Sequence, residues 1–264
     1  MKTVTFVTSL LLMVAPVAAA TFVNEAGLSD GERYHRCIEL ARQDADAAHH
    51  EALVWYDVGG GVAAQHCAAV ALFMGKHYPE AAQKLDQLAK ARDTPSTDLR
   101  AEILDQAGNA WLMAGEADRA EASISGALNL GDHSADTYAD RARARAMKKD
   151  WPGAASDLDQ ALAKDAYRTD LLVLRASARE ALGWTKDALA DLDQALQIDP
   201  GYTDALIERG TLRLEDGDPN GARADWLLVV SNQPKSPAAD LARSRLQQLS
   251  VIAQQPAGNK ATRH

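Results

Sequence analysis

The chain has 264 residues with 37 acidic against 28 basic side chains, a formal net charge of −9, and it is 47% apolar but only 5% aromatic. So acidic a chain lacks the basic footprint that displaces counterions from phosphate, which argues against nucleic acid and against an anionic membrane surface as partners. Alanine supplies much of the apolar share, and that suits close-packed helices better than strands.

Residues 1–20 open with Lys2, run through an apolar stretch from Phe6 to Val14, break at Pro16 and close on Ala18, Ala19 and Ala20. This is the pattern of a cleavable secretory signal, and its apolar run is well short of the ~20 residues that span a bilayer. The mature chain is therefore expected to be exported, to the periplasm of a bacterium, with no membrane-inserted segment. No cysteine directly follows the small residues, which argues against a lipid anchor.

An N-terminal helical segment is expected over 21–61, with one long helical stretch from about Ser29 to Tyr56 ended by Gly59, Gly60 and Gly61. Cys37 and Cys67 are the only cysteines, and an oxidising compartment predicts a disulfide between them, on consecutive helices joined by that glycine turn. Closing such a loop contributes between about 3 and 4 kcal/mol in the chain-entropy model. His35, His49, His50, His66 and His77 crowd the same region. Their spacing matches no zinc motif, and His66 and Cys67, adjacent on a helix, point about 100 degrees apart, so satisfied or solvated histidines are expected and no metal.

Further along, SDLDQAL at 156–162 returns as ADLDQAL at 190–196, an offset of 34 residues. Frames of that length start at Ala101, Ala135, Thr169 and Thr203 and divide the chain into 101–134, 135–168, 169–202 and 203–236. Their eighth positions are small (Gly108, Ala142, Ala176, Gly210) and their twentieth positions are Ala120, Ala154, Ala188 and Ala222. Large residues, Ile124, Leu158, Leu192 and Trp226, stand at the twenty-fourth. Two short antiparallel helices meet closely only where small residues lie at the crossing and large ones fill the gap beside it. Gly115, Gly183 and Gly217 mark the turn between the helices, and Pro200 and Pro234 close two of the frames. A degenerate copy is expected over 62–100, where Tyr78, Pro79, Glu80 and Ala81 precede Leu85 and Leu88. The loop from Ala91 to Asp98 then breaks the strict register. Residues 237–253 read as an amphipathic capping helix with Leu241, Leu246 and Leu249 on its apolar side, and 254–264 as a disordered tail.

The small, small, large spacing at this period resembles the tetratricopeptide repeat (TPR). The resemblance implies an all-α, right-handed superhelical array of antiparallel helix pairs, in which stacking neighbours complete one another's core. Arg141, Arg145 and Asp157 recur as Arg175, Arg179 and Asp191 and as Arg209, Arg213 and Asp225. Hairpin geometry makes these structural ion pairs, with Arg141 reaching Asp157 or Asp159 and Arg175 reaching Asp191 or Asp193. No nucleophile motif, phosphate loop or dinucleotide fingerprint occurs, so neither enzyme activity nor a cofactor is expected.

By the same resemblance, the second, fifth, ninth, twelfth and thirteenth positions of each first helix line a concave groove that binds a peptide or helix. The ninth positions are Asn109, Arg143, Ser177 and Thr211, and beside them stand Leu112, Met113, Met147, Glu180 and Leu214. Asn109 with the flexible Met113 and Met147 suits an extended backbone and apolar side chains, while Asp170, Asp204, Glu208 and Glu215 favour a basic segment. The family's clamp for a terminal carboxylate is represented only by Asn109 and Arg143, so an internal, partly basic segment of a protein partner is the expected occupant. The alternative is self-association, with the groove filled by the chain's own N-terminal helix or by a second copy in a homo-oligomer.

Overall fold

The computed structural model describes residues 28–254, with side chains to 251; the expected signal and tail lie outside the described residues. These residues form helices and no strand: α1 (Asp30–Gln43), α2 (Ala45–Asp57), α3 (Gly61–Met74), α4 (Tyr78–Lys90), α5 (Thr97–Met113), α6 (Ala117–Asn129), α7 (Ala135–Met147), α8 (Trp151–Lys164), α9 (Thr169–Ala181), α10 (Thr185–Ile198), α11 (Thr203–Glu215), α12 (Pro219–Asn232) and α13 (Pro237–Gln254). Each helix packs on its sequence neighbours, giving an antiparallel stack.

One closure recurs through the array. The N–H of Glu116 donates to the carbonyl of Trp111 at 2.9 Å, Asp150 to Arg145 at 2.9 Å, Trp184 to Arg179 at 2.8 Å and Asp218 to Arg213 at 2.7 Å. The residue before each donor is left-handed: Gly115, Lys149, Gly183 and Gly217. This satisfies carbonyls at the first helix's end that would otherwise be orphaned. The α3–α4 hairpin closes the same way, with His77 donating to Leu72 at 2.9 Å and Lys76 left-handed. The weaker copy upstream is thus a hairpin with a lysine in the glycine's place.

The segment before it differs from the single helix expected between Ser29 and Tyr56. Asp44 is extended, and its carboxylate accepts from the N–H of Ala47 at 3.0 Å, so it ends α1 and caps α2. Two helices result, and α1 with α2 make an additional hairpin at the head of the array. Cys37 and Cys67 are bonded as expected, with Cα atoms 6.3 Å apart. They join α1 to α3 across the intervening α2, not consecutive helices. In the loop after α4, Arg100 donates to the carbonyls of Ala89 at 2.6 Å and Thr94 at 2.7 Å. Helix α5 starts at Thr97 behind the cap Ser96, one turn before the repeat frame.

Alanines and leucines between the helix pairs make one large core from α7 to α13, with smaller separate clusters toward the N-terminus. Where the eighth position is glycine, the opposite residue is the larger Trp226 or the β-branched Ile124: a Cβ on Gly210 would lie 2.5 Å from the Nε1 of Trp226, and one on Gly108 would run into Ile124. Where it is alanine (Ala142, Ala176), leucine stands across from it (Leu158, Leu192), and all four side chains are buried. At the C-terminus α13 buries Ala239, Ala242 and Leu249, whereas Leu241, expected on the apolar side, is exposed.

Candidate functional site

The arginine–aspartate sets are structural, as their spacing predicts. Buried Asp157 accepts from Arg141 Nε and Nη2 at 2.9 and 2.7 Å and from Arg145 Nη1 at 2.9 Å. Asp191 does so from Arg175 and Arg179, and Asp225 from Arg209 and Arg213. Sequence reasoning missed a second rung. Arg175 Nη1 also donates to Asp159 of the preceding repeat at 2.7 Å, and Arg209 Nη1 to Asp193 at 2.7 Å. The acids two residues beyond the buried ones therefore fasten one repeat to the next. Upstream the rung is rebuilt from other groups: Trp111 Nε1 and Ser123 Oγ donate to Asp86 at 2.9 and 2.8 Å. Each of the buried carboxylates Asp157, Asp191 and Asp225 is engaged by two arginines.

Packing between alternate helices runs through the first helix of each pair: α1 on α3, α5 on α7, α9 on α11 and α11 on α13. These helices therefore lie side by side along one face of the stack, the face that a TPR array turns inward. The predicted groove residues sit on this set. Met113 and Met147 are 56% and 48% exposed, and Met74, at the equivalent place on α3, is 43% exposed, so a row of flexible apolar side chains extends one hairpin beyond the expected pair. Leu112 and Leu214 are half-buried and Glu180 is exposed.

Two of the ninth positions, Asn109 and Ser177, are tied to the next repeat, and the other two bond within their own helix. Asn109 Nδ2 donates to Asp140 at 2.7 Å, and Arg143 pairs with the same carboxylate. Ser177 Oγ bonds the carbonyl of Val173 at 3.1 Å and Glu208 at 3.0 Å. Thr211 Oγ1 donates back to Ile207 at 2.9 Å. Arg143 is therefore half-neutralised by Asp140 and is not a free anion receptor.

The dominant charge of this face is negative. The second position of each regular first helix is acidic: Glu102, Asp136, Asp170 and Asp204. Arg168 pairs with two of them, donating from Nε and Nη2 to Asp170 at 2.8 Å and from Nη1 to Asp136 at 2.9 Å. Deeper in, burial raises the carboxyl of Asp105 to a pKa of about 7, reinforced by Asp140 and Asp132. One of its buried oxygens has no hydrogen-bond donor. Burial likewise raises Glu208 to about 7, opposed by the Ser177 bond and reinforced by Glu180 and Asp204.

This architecture recurs in solved structures. The chain matches a crystal structure of MamA with a TM-score of 0.57 at 18% identity, over 63% of this chain and 95% of that one. It matches YrrB, described as a TPR protein with an unusual peptide-binding site, with a TM-score of 0.56 at 17% identity, over 69% of this chain and 91% of that one. This chain is folded as a tetratricopeptide-repeat array. At these identities the likeness speaks for the TPR fold alone. No family model matches the sequence, and no curated protein matches it.

The remaining expected features find plain places. His66 is buried between Tyr34 and Gln106, and among the described residues no group of histidine, cysteine and carboxylate side chains has the arrangement of a metal site. No described helix is long and apolar enough to cross a membrane.

Proposed function

We propose that the mature chain is an exported adaptor of the cell envelope, not an enzyme, and that it holds an internal, basic segment of a partner protein along the inner face of its TPR array. The observation that carries this reading is the acidic second position repeated from Glu102 through Asp136 and Asp170 to Asp204, four carboxylates against the Arg168 guanidinium that pairs with Asp136 and Asp170. Complementary charge sets the register and on-rate of such a segment, and the exposed methionines accommodate its apolar side chains without demanding one shape. The Cys37–Cys67 bond supports a life outside the reducing cytoplasm.

The test is fluorescence anisotropy with capped peptides of equal length carrying lysine, glutamine or glutamate between small residues. The lysine peptide should bind, with an affinity that falls as salt rises. Changing the exposed Asp204→Lys and Glu215→Lys together should abolish that binding while leaving the melting curve in place. Equal affinity for all three peptides refutes the reading. A closed dimer by light scattering whose groove takes no peptide supports self-association in its place.

A further inference from the structure

The inner face changes character at its N-terminal end. Where α1, α3 and α5 converge there is a cavity of about 290 Å³ whose walls are Tyr34, Ile38, Val70 and Phe73, with His66 and Gln106 at its polar edge. In the repeat frame, Val70 on α3 stands where Asn109 stands on α5, and His66 where Asp105 stands, because the α3–α4 turn at His77 corresponds to the α5–α6 turn at Glu116. The cavity is therefore the continuation of the groove, with Val70 in place of the Asn109 amide and His66 in place of the Asp105 carboxyl.

The polar edge is closed on itself. The Tyr34 hydroxyl lies 2.8 Å from His66 Nδ1, and His66 Nε2 lies 2.6 Å from Gln106 Oε1. Burial lowers the pKa of His66, so the ring is neutral near pH 7, and a single N–H directed at the Gln106 oxygen leaves Nδ1 to accept from Tyr34. This chain of bonds crosses α1, α3 and α5, and the Cys37–Cys67 bond fixes α1 to α3 beside it. The pocket is thus held open by bonds, and its polar groups ask nothing of a ligand. What it leaves unsatisfied is apolar surface. Just along the groove stand the exposed Glu102, then Asp105, and Asp136 in its pair with Arg168, so a side chain entering the pocket comes from a backbone passing carboxylates.

We propose that this cavity is the anchor site of the groove: it takes one bulky apolar side chain, of phenylalanine or leucine size, from a segment whose following residues are lysine or arginine. The inference rests on the groove reading above and adds to it a second, apolar requirement at one end, supplied by α1 and α3 outside the regular repeats. An aromatic anchor in a pre-formed pocket carries a disproportionate share of binding, and the lysines provide register.

The experiment uses the mature, oxidised chain and capped, fluorescein-labelled peptides with one phenylalanine followed by lysines, or the same peptide with alanine for phenylalanine. The phenylalanine peptide is expected to bind about thirtyfold more tightly, and Val70→Trp, which fills the cavity, should remove that advantage. Because Val70→Trp is able to disturb packing, a peptide with a photoreactive benzophenone in place of the phenyl ring is crosslinked to the unmutated chain. Crosslinks to α1 or α3 support the anchor, and crosslinks confined to α9 and α11 overturn it. Equal affinity of the two peptides overturns the anchor and leaves the acidic groove standing, whereas binding of neither overturns both.

Discussion

Gly210 and Trp226 provide a sharp test of why the repeats pair glycine with a bulky residue and alanine with leucine. Replacing an interior helical glycine by alanine ordinarily stabilises a helix by about 1 kcal/mol. Here the added Cβ would lie 2.5 Å from Trp226 Nε1 and 2.9 Å from its Cδ1. The indole has no exposed surface through which to move. Overpacking of this kind costs about 1 to 3 kcal/mol, so Gly210→Ala should be destabilising in spite of the propensity gain. Trp226→Leu recreates the pairing of Ala142 with Leu158 and of Ala176 with Leu192 once alanine stands at 210. In that background the same Gly210→Ala change should become stabilising by about 1 kcal/mol, the ordinary propensity effect plus the filling of a gap. The change of effect corresponds to a coupling of about 1 to 3 kcal/mol, within the range for residues in contact. Urea unfolding of the four proteins measures it, with the slope checked for constancy because repeat arrays can lose cooperativity. If Gly210→Ala has the same effect beside tryptophan as beside leucine, the crossing is not set by this pair and the packing argument fails.

Three further outcomes follow from the same geometry. Asp191→Ala should cost about 3 to 5 kcal/mol because it leaves two guanidinium groups, those of Arg175 and Arg179, without their buried acceptor; Asp159→Ala, which removes the half-exposed partner of the same Arg175, should cost less than about 1 kcal/mol, both read by chemical denaturation. Asp105 has its folded pKa raised from 3.8 to about 7, so its favourable contribution is complete below the unfolded value and is lost as pH rises through about 7; Asp105→Asn should therefore gain stability relative to the parent at pH 8 and little at pH 4, and equal gains at both would refute the burial of that carboxyl. Reduction of Cys37–Cys67 should lower stability by about 3 to 4 kcal/mol, with faster amide exchange in α1, α2 and α3 and little change in α9 to α12.

Periodicity made most of the fold legible. Positions such as Ala154 and Leu158 recur because each hairpin solves the same crossing, and a repeated solution is visible without coordinates. What was not repeated was hidden. Asp44 breaks a run of good helix formers, and only its capacity to cap Ala47, one short bond in an otherwise helical composition, marks the break between α1 and α2. Missing that hinge moved Cys37 and Cys67 onto neighbouring helices, although their bonding followed from compartment and number. The pairing of Arg175 with Asp159 crosses a repeat boundary and was therefore invisible to reasoning confined to one hairpin, yet Asp159 and Asp193 recur at the same offset as the buried acids, and that was the available signal. Groove positions were legible as positions only. That Arg143 is held by Asp140, and that Asn109 bridges repeats, depends on side chains brought together from the next first helix.

The central claim, that a basic segment lies along the inner face, is tested most directly by mapping amide shifts of the isotope-labelled mature chain on titration with the lysine peptide. The account predicts shifts concentrated on α5, α7, α9 and α11, saturating together and disappearing when Asp204 and Glu215 are changed to lysine. Shifts concentrated on the second helices α6, α8, α10 and α12, unaffected by those changes, would contradict it.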